Sequence, residues 1–251
     1  TSLGIGKDSY ISGAYATYVG QEIGQFYGWV YEGIARTQTD LDNHATQQGA
    51  NVGDCLYKDI SGPEGTPDGV IDAYDQTVLG SGLPKVNFGL STHMEYKGFD
   101  LNISTYGVLN YHVSDDIYNS LNSCYGYGNK EVGMLDANRW SEDGTYLSSV
   151  PRTYAANNAT LAWNDLFSSR KIQNAAYWKI ANVELGYNFP DKWFGGYVSG
   201  VRLYVSAQNL YTFTGYHGYN VDYAGGTFTP GYNFCSFPSA RTFMAGLHFT
   251  F

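Results

Sequence analysis

Arg241-Thr242-Phe243-Met244-Ala245-Gly246-Leu247-His248-Phe249-Thr250-Phe251 alternates without a break. Extended, it puts Phe243, Ala245, Leu247, Phe249 and Phe251 on one face and Thr242, Met244, Gly246, His248 and Thr250 on the other. The sequence stops there on an aromatic, with no polar tail. A soluble domain rarely ends on an apolar strand pointing at nothing. The last strand of a transmembrane β-barrel does, because it closes against the first and its outer row meets lipid.

The same alternation recurs upstream. Val86, Phe88, Leu90, Thr92, Met94 and Tyr96 alternate with Asn87, Gly89, Ser91, His93 and Glu95. Lys97-Gly98 makes a two-residue turn. Phe99, Leu101, Ile103 and Thr105 then alternate with Asp100, Asn102, Ser104 and Tyr106. Tyr177, Ala181, Val183, Leu185, Tyr187 and Phe189 alternate with Trp178, Asn182, Glu184, Gly186 and Asn188. Val201, Leu203, Val205 and Ala207 alternate with Arg202, Tyr204, Ser206 and Gln208. With the β-prone run 24–34 these segments predict six strands, five of them alternating cleanly (84–96, 99–110, 172–189, 201–213 and 241–251). Residues 1–22 read as a loop. Short connections at 97–98 and 190–200 alternate with long polar ones at 36–83, 111–169 and 215–239. Short turns on one side and long loops on the other is an outer-membrane barrel pattern. A soluble β-sandwich or jelly roll alternates too, but strand length, loop asymmetry and the aromatic terminus favour the membrane. Six strands do not enclose a lumen, since about 8 leave room only for side chains, so they belong to a larger barrel.

Composition agrees. Among 251 residues there are 24 Tyr and 31 Gly, and only 15% are charged, which suits an all-β chain. No apolar run approaches the roughly 18 residues of a spanning helix. A formal charge of −9 argues against nucleic acid as a partner. Cys55, Cys124 and Cys235 have no C-x-x-C spacing, so zinc is not expected. Thr1-Ser2-Leu3-Gly4-Ile5-Gly6 has neither the basic region nor the apolar core of a signal peptide; an exported protein would carry this chain as a mature product or a fragment. The five histidines form no H-E-x-x-H pair, no G-x-S-x-G elbow occurs, and no acid/base pair suits glycan cleavage, so no catalytic residue is assigned.

In sequence order the chain then presents Val19-Gly20-Gln21-Glu22-Ile23-Gly24-Gln25-Phe26-Tyr27-Gly28-Trp29, Tyr57-Lys58-Asp59 through Asp68-Gly69-Val70-Ile71-Asp72 and Asp75, and Tyr96-Lys97-Gly98-Phe99-Asp100-Leu101. Arg139-Trp140, Pro151-Arg152, Ser169-Arg170, Tyr177-Trp178-Lys179-Ile180-Ala181-Asn182-Val183-Glu184-Leu185-Gly186-Tyr187, Ser206-Ala207-Gln208-Asn209-Leu210 and Arg241-Thr242-Phe243 follow. Together these motifs resemble the C-terminal barrel portion of SusC/RagA-type TonB-dependent outer-membrane transporters. Glu22 stands where that family usually has Pro.

The resemblance implies an all-β, antiparallel transmembrane barrel, this chain being the last six strands of 22, with long extracellular loops. The plug domain and the TonB box are not in this sequence. The implied function is import of oligosaccharides, or of peptides in some members, with a SusD-like surface lipoprotein as lid and TonB pulling on the plug. The alternative of another class is a soluble carbohydrate-binding β-sandwich; a plugless, porin-like channel is a further rival. The implied location is the outer membrane of a Gram-negative cell, with the C-terminus periplasmic. Residues 1–22 and the short turns are then expected on the periplasmic side, and 36–83, 111–169 and 215–239 outside. The apolar rows meet lipid, and the polar rows line the lumen or touch the plug.

Two loop sites are candidates. Asp59, Ser61, Asp68, Asp72 and Asp75 look like a calcium loop, in which several oxygens converge and Gly69 allows the sharp turn. Ser61 in place of Asn or Asp, and the insertion Pro63-Glu64-Gly65-Thr66-Pro67, break its spacing; the plainer reading is an acidic turn tied by Asp-to-backbone bonds. Tyr125, Tyr127, Trp140 and Trp163 have faces on which sugar rings stack; the plainer reading is loop packing or contact with the lid. Tyr96, Phe99, Tyr187, Phe189, Trp193, Phe194, Tyr197, Phe249 and Phe251 read as an interfacial girdle at the short-turn end.

Overall fold

The computed structural model describes residues 8–123, 129–132, 150–153, 163–193, 199–222 and 225–250. The strands are β1 (Ser9–Ser12), β2 (Tyr15–Tyr18), β3 (Gln25–Gly28), β4 (Tyr31–Ile34), β5 (Cys55–Tyr57) and β6 (Thr77–Gly80). The long ones follow: β7 (Val86–Tyr96), β8 (Phe99–Leu109), then a short β9 (His112–Asp115) and β10 (Gln173–Asn174), then β11 (Tyr177–Phe189) and β12 (Gly200–Thr214). Last come β13 (Gly225–Gly226), β14 (Thr229–Pro230), β15 (Tyr232–Asn233) and β16 (Thr242–Thr250). Two short helices, α1 (Gln38–Asp42) and α2 (Asp116–Leu121), lie in the long connections. The chain forms two compact units.

One unit holds the described residues of 84–111, 174–222 and 236–251. It is an antiparallel sheet in the order β16-β12-β11-β8-β7, an open arc of barrel wall. Lys97 and Gly98 both have positive φ, 48° and 87°, as a hairpin turn matching the strand twist requires. The register aligns the apolar rows across all five strands. Met94 faces Leu101, Leu101 faces Leu185, Leu185 faces Val205, and Val205 faces Ala245. Val205 lies on an inner strand yet is 51% exposed, so no described residue covers this face. The 11 residues of β7 reach about 34–37 Å at about 3.4 Å each, and a tilt of about 45° brings that to about 25 Å, the height of a membrane band.

A bulge at Ala181 corrects the expected faces of β11. Ile180 faces Thr105 and Asn182 faces Ser104, so β11 has one extra residue; β12 has one more again. One inserted residue reverses every side chain beyond it. Trp178 therefore joins the apolar face, stacked on Phe213 with centroids 5.3 Å apart, and Tyr177 joins the polar face opposite Thr214 and Val108.

The other unit holds the described residues of 1–83, 112–173 and 223–235. Here two expectations are corrected. The run 24–34 is not a sixth strand of the wall sheet, which has five strands among the described residues. It breaks into β3 and β4, which join two different small sheets, β1-β2-β3-β6 and β4-β5. Its aromatics are drawn into this unit's core: Phe26 packs on Tyr15 and Phe167, and Trp29 on Tyr57. Gly28 abuts the Phe167 carbonyl so closely that a Cβ would collide with it. Residues 9–18 form a hairpin rather than a loop, and β2 pairs with β3 and thus with the long-connection segments. The stretch expected with the short turns is built into the unit of the long connections.

Candidate functional site

The polar face of the wall carries a charged cluster near its short turns. Arg202 on β12 donates from Nε to Asp100 Oδ2 at 3.0 Å and from Nη2 to Asp100 Oδ1 at 2.5 Å and to Glu184 Oε1 at 2.7 Å. Asn188 Nδ2 donates to Asp100 Oδ2 at 3.1 Å. The guanidinium also lies over the Tyr204 ring, 5.2 Å from its centroid. His93 sits 2.6 Å from Asn102 Oδ1 and 2.9 Å from Glu95 Oε1. The polar rows read from the sequence do converge on one face. On the opposite face Phe99, Tyr187, Phe189 and Trp193, four of the residues read as a girdle, form a chain of ring contacts at 4.7, 4.9 and 5.8 Å. Phe194, Tyr197 and Phe251 lie outside the described residues.

A second cluster was not expected. Lys179 on β11 is buried and donates to Asp222 Oδ2 at 2.6 Å. Tyr106 O–H donates to Asp222 Oδ1 at 3.3 Å. Just past the end of β8, burial and the nearby Asp222 carboxylate push the Tyr111 phenol up to about 12. The signal for this cluster was a single Lys within a strand. Its acidic partner lies 43 residues away, and the bulge hid which face the lysine takes.

The acidic segment ties itself to backbone. Asp75 is fully buried; its Oδ1 accepts from the Ile60 and Ser61 N–H groups and its Oδ2 from Asp72 N–H. Asp59 accepts from Gly69 N–H at 2.7 Å, Asp68 from Val70 N–H and Asp72 from Tyr74 N–H. Ser61 offers its hydroxyl to the Gly62 carbonyl. Among the described residues no group of three or more His, Cys, Asp or Glu is placed to hold a metal ion. Asp68 and Asp72 each close a turn two residues on, while Asp59 and Asp75 tie the two ends of the segment together, Asp59 to Gly69 and Asp75 to Ile60 and Ser61.

Of the four aromatics considered for stacking, Tyr125, Tyr127 and Trp140 lie outside the described residues. Trp163 packs against the buried cluster of Cys55, Tyr57 and Ile71. Its indole N–H donates to the Gln48 carbonyl at 2.9 Å, and its own carbonyl accepts from the Tyr57 hydroxyl. Burial pushes the Tyr57 phenol well up. Beside it lies an ion pair that sequence reasoning missed. Asp54, fully buried, takes Arg152 Nε at 2.6 Å, Arg152 Nη2 at 3.0 Å and Asn164 Nδ2 at 2.8 Å.

No protein-family model matches the chain. Three similar proteins and two solved structures frame it. TonB-dependent receptor P3 of Formosa agariphila is 30% identical over 92% of this chain and 22% of its own length. TonB-dependent receptor P26 of the same organism is 27% identical over 96% of this chain and 24% of its own length. TonB-dependent receptor SusC of Bacteroides thetaiotaomicron is 27% identical over 73% of this chain and 17% of its own length. The chain thus spans about a quarter of the length of the curated relatives it matches. In fold it matches the RagAB peptide importer in its open-open state with a TM-score of 0.74 at 22% identity, over 100% of this chain and 25% of that one. The closed-closed state gives 0.73 at 20% identity, over 97% of this chain and 25% of that one. The resemblance to the barrel portion of SusC/RagA-type TonB-dependent receptors holds in sequence and in fold.

Proposed function

We propose that this chain is wall and outer loops of a TonB-dependent outer-membrane importer that takes up oligosaccharides with a SusD-like lipoprotein. The observation that carries the reading is the five-stranded sheet, one face continuously apolar and bare and the other polar and ion-paired. Such a sheet suits lipid on one side and a wet lumen or a plug on the other. The long connections then lie outside, and the short turns and the C-terminus face the periplasm. The chain itself does no covalent chemistry: TonB acts through the plug, and this part supplies wall, lumen surface and external loops. A peptide cargo is the second reading, favoured by the fold likeness to an importer described as one for peptides.

The test is to extract the native protein from outer membranes in detergent and measure intact mass and subunit composition. A polypeptide carrying a plug and further strands, copurifying with a lipoprotein, is the expected result. A free, water-soluble chain of 251 residues would overturn the reading.

A further inference from the structure

Where the bulge displaces β12, the wall carries a cavity of about 320 Å³, lined by Lys179, Thr212, Tyr219, Asn220, Asp222 and Arg241 among others. That volume is at the lower end for small-molecule sites, enough for one or two sugar rings or amino acids. The bulge builds it. Asn209, at φ 52°, donates from its side chain to the Ala240 carbonyl at 2.9 Å, which brings the residue before Arg241 onto β12. The segment after β12 turns back over the polar face, fixed by the Lys179–Asp222 pair and by Asn220 Oδ1 accepting from Asp222 N–H at 3.0 Å.

Charge in this cavity is unbalanced. Lys179 and Asp222 neutralise each other. Arg241 is exposed and makes no hydrogen bond or ion pair among the described residues. The cavity thus keeps one unmatched guanidinium in a chain of formal charge −9. A guanidinium is built to take a carboxylate with two parallel N–H bonds. Thr212, in the same lining, brings a hydroxyl that suits a ligand rich in hydroxyl or amide groups, and Tyr219, 68% exposed, gives a ring face.

We infer that this cavity is a carboxylate-binding subsite for cargo, held by Arg241 and walled by Tyr219, selecting acidic over neutral chains. The inference rests on the importer reading and names a ligand class for it. The carboxylate belongs to an acidic sugar residue or to an acidic peptide side chain, and the probes tell these apart.

The experiment uses the whole transporter in detergent with its copurifying subunits. Trigalacturonate, maltotriose and the tripeptide Glu-Glu-Glu are titrated calorimetrically into wild type, Arg241→Gln and Arg241→Lys. At least one acidic probe binds wild type, and Arg241→Gln weakens it by about tenfold or more, the loss of a charge-assisted contact. Arg241→Lys keeps part of the affinity, and maltotriose is indifferent to both changes. Binding of trigalacturonate alone identifies a sugar carboxylate; binding of the peptide alone identifies a peptide carboxylate. The inference is overturned if neither acidic probe binds, if Arg241→Gln leaves affinity unchanged, or if maltotriose binds as tightly as the acidic probes. Should Arg241→Gln fail to fold, Tyr219→Ala at the exposed rim replaces it, with weakened acidic-probe binding expected and unchanged binding fatal. Failure of the importer reading appears separately, in membrane extraction.

Discussion

The Arg202 guanidinium and the Asp100 carboxylate, on strands that do not touch, meet across β11 at 2.5 and 3.0 Å. The strand between them carries Gly186 at the crossing point. A Cβ there would lie 2.6 Å from Arg202 Nη2 and collide with Asp100 Oδ2. The glycine supplies room, and the ion pair staples three strands at the short-turn end.

Gly186→Ala therefore breaks the pair without touching either charge. The expected loss is about 1–3 kcal/mol, the cost of leaving the buried Asp100 carboxylate and the partly buried Arg202 unmatched. Urea unfolding of the detergent-solubilised protein measures it. Gly89→Ala is the control, since its Cβ meets only the Thr105 carbonyl at an ordinary 3.6 Å. Equal stability of the two variants contradicts the stapling role.

Arg152→Ala leaves the Asp54 carboxylate buried with only amide and backbone donors. Losing one partner of a buried pair costs about 3–5 kcal/mol. Amide exchange over residues 47–57 should accelerate by roughly a hundredfold or more, while the wall strands exchange as before. Unchanged exchange there would sink the claim that this pair holds the loop unit.

The N-terminus of α1 reports on pH. Thr37 and Arg36 N–H groups both donate to Asp40 Oδ2, at 2.9 and 2.8 Å, and hold its carboxyl below the usual range. A lowered folded pKa means stability that is present above the unfolded value of about 3.9 and lost as pH falls through the folded one. Exchange protection of the Arg36 and Thr37 amides should persist at pH 5 and at about pH 4, and be lost only as the pH falls further below the ordinary carboxyl value of about 3.9. In Asp40→Asn it should be weak at every pH; full protection in that variant contradicts the cap.

The acidic segment 59–75 holds its turns with its own N–H groups, Asp75 taking three of them. Adding calcium or a chelator should leave exchange of this segment unchanged, whereas Asp75→Ala should loosen it. Protection that rises with calcium would instead establish the metal site that the Asp spacing first suggested.

Much of the wall was legible because period-2 alternation over eleven residues has no helical reading, and because Lys97-Gly98 announces its turn. What stayed hidden was what a pattern of period two does not carry. The bulge at Ala181 looks like one more residue in a strand, yet it exchanged Tyr177 and Trp178 between faces. Run 24–34 has strand-forming residues, but its partners lie in distant segments, so composition alone did not say which sheet takes it. Trp163 has the type of a stacking residue, and only its packing on Tyr57 reveals a structural task. Asp54 with Arg152 and Lys179 with Asp222 are joined across 98 and 43 residues, beyond any local motif.

The most direct test is a nitroxide scan of the wall in lipid, with Cys55, Cys124 and Cys235 replaced by serine. Labels at Leu90, Leu185, Val205 and Trp178 should be relaxed by oxygen from the bilayer, and labels at Ser104, Glu184, Ser206 and Tyr177 should not. The phase reverses at Ala181. Two rows equally sheltered from oxygen, or the apolar row open to a water-soluble relaxant, would mean that this face is not a lipid face and that the barrel-wall account is wrong.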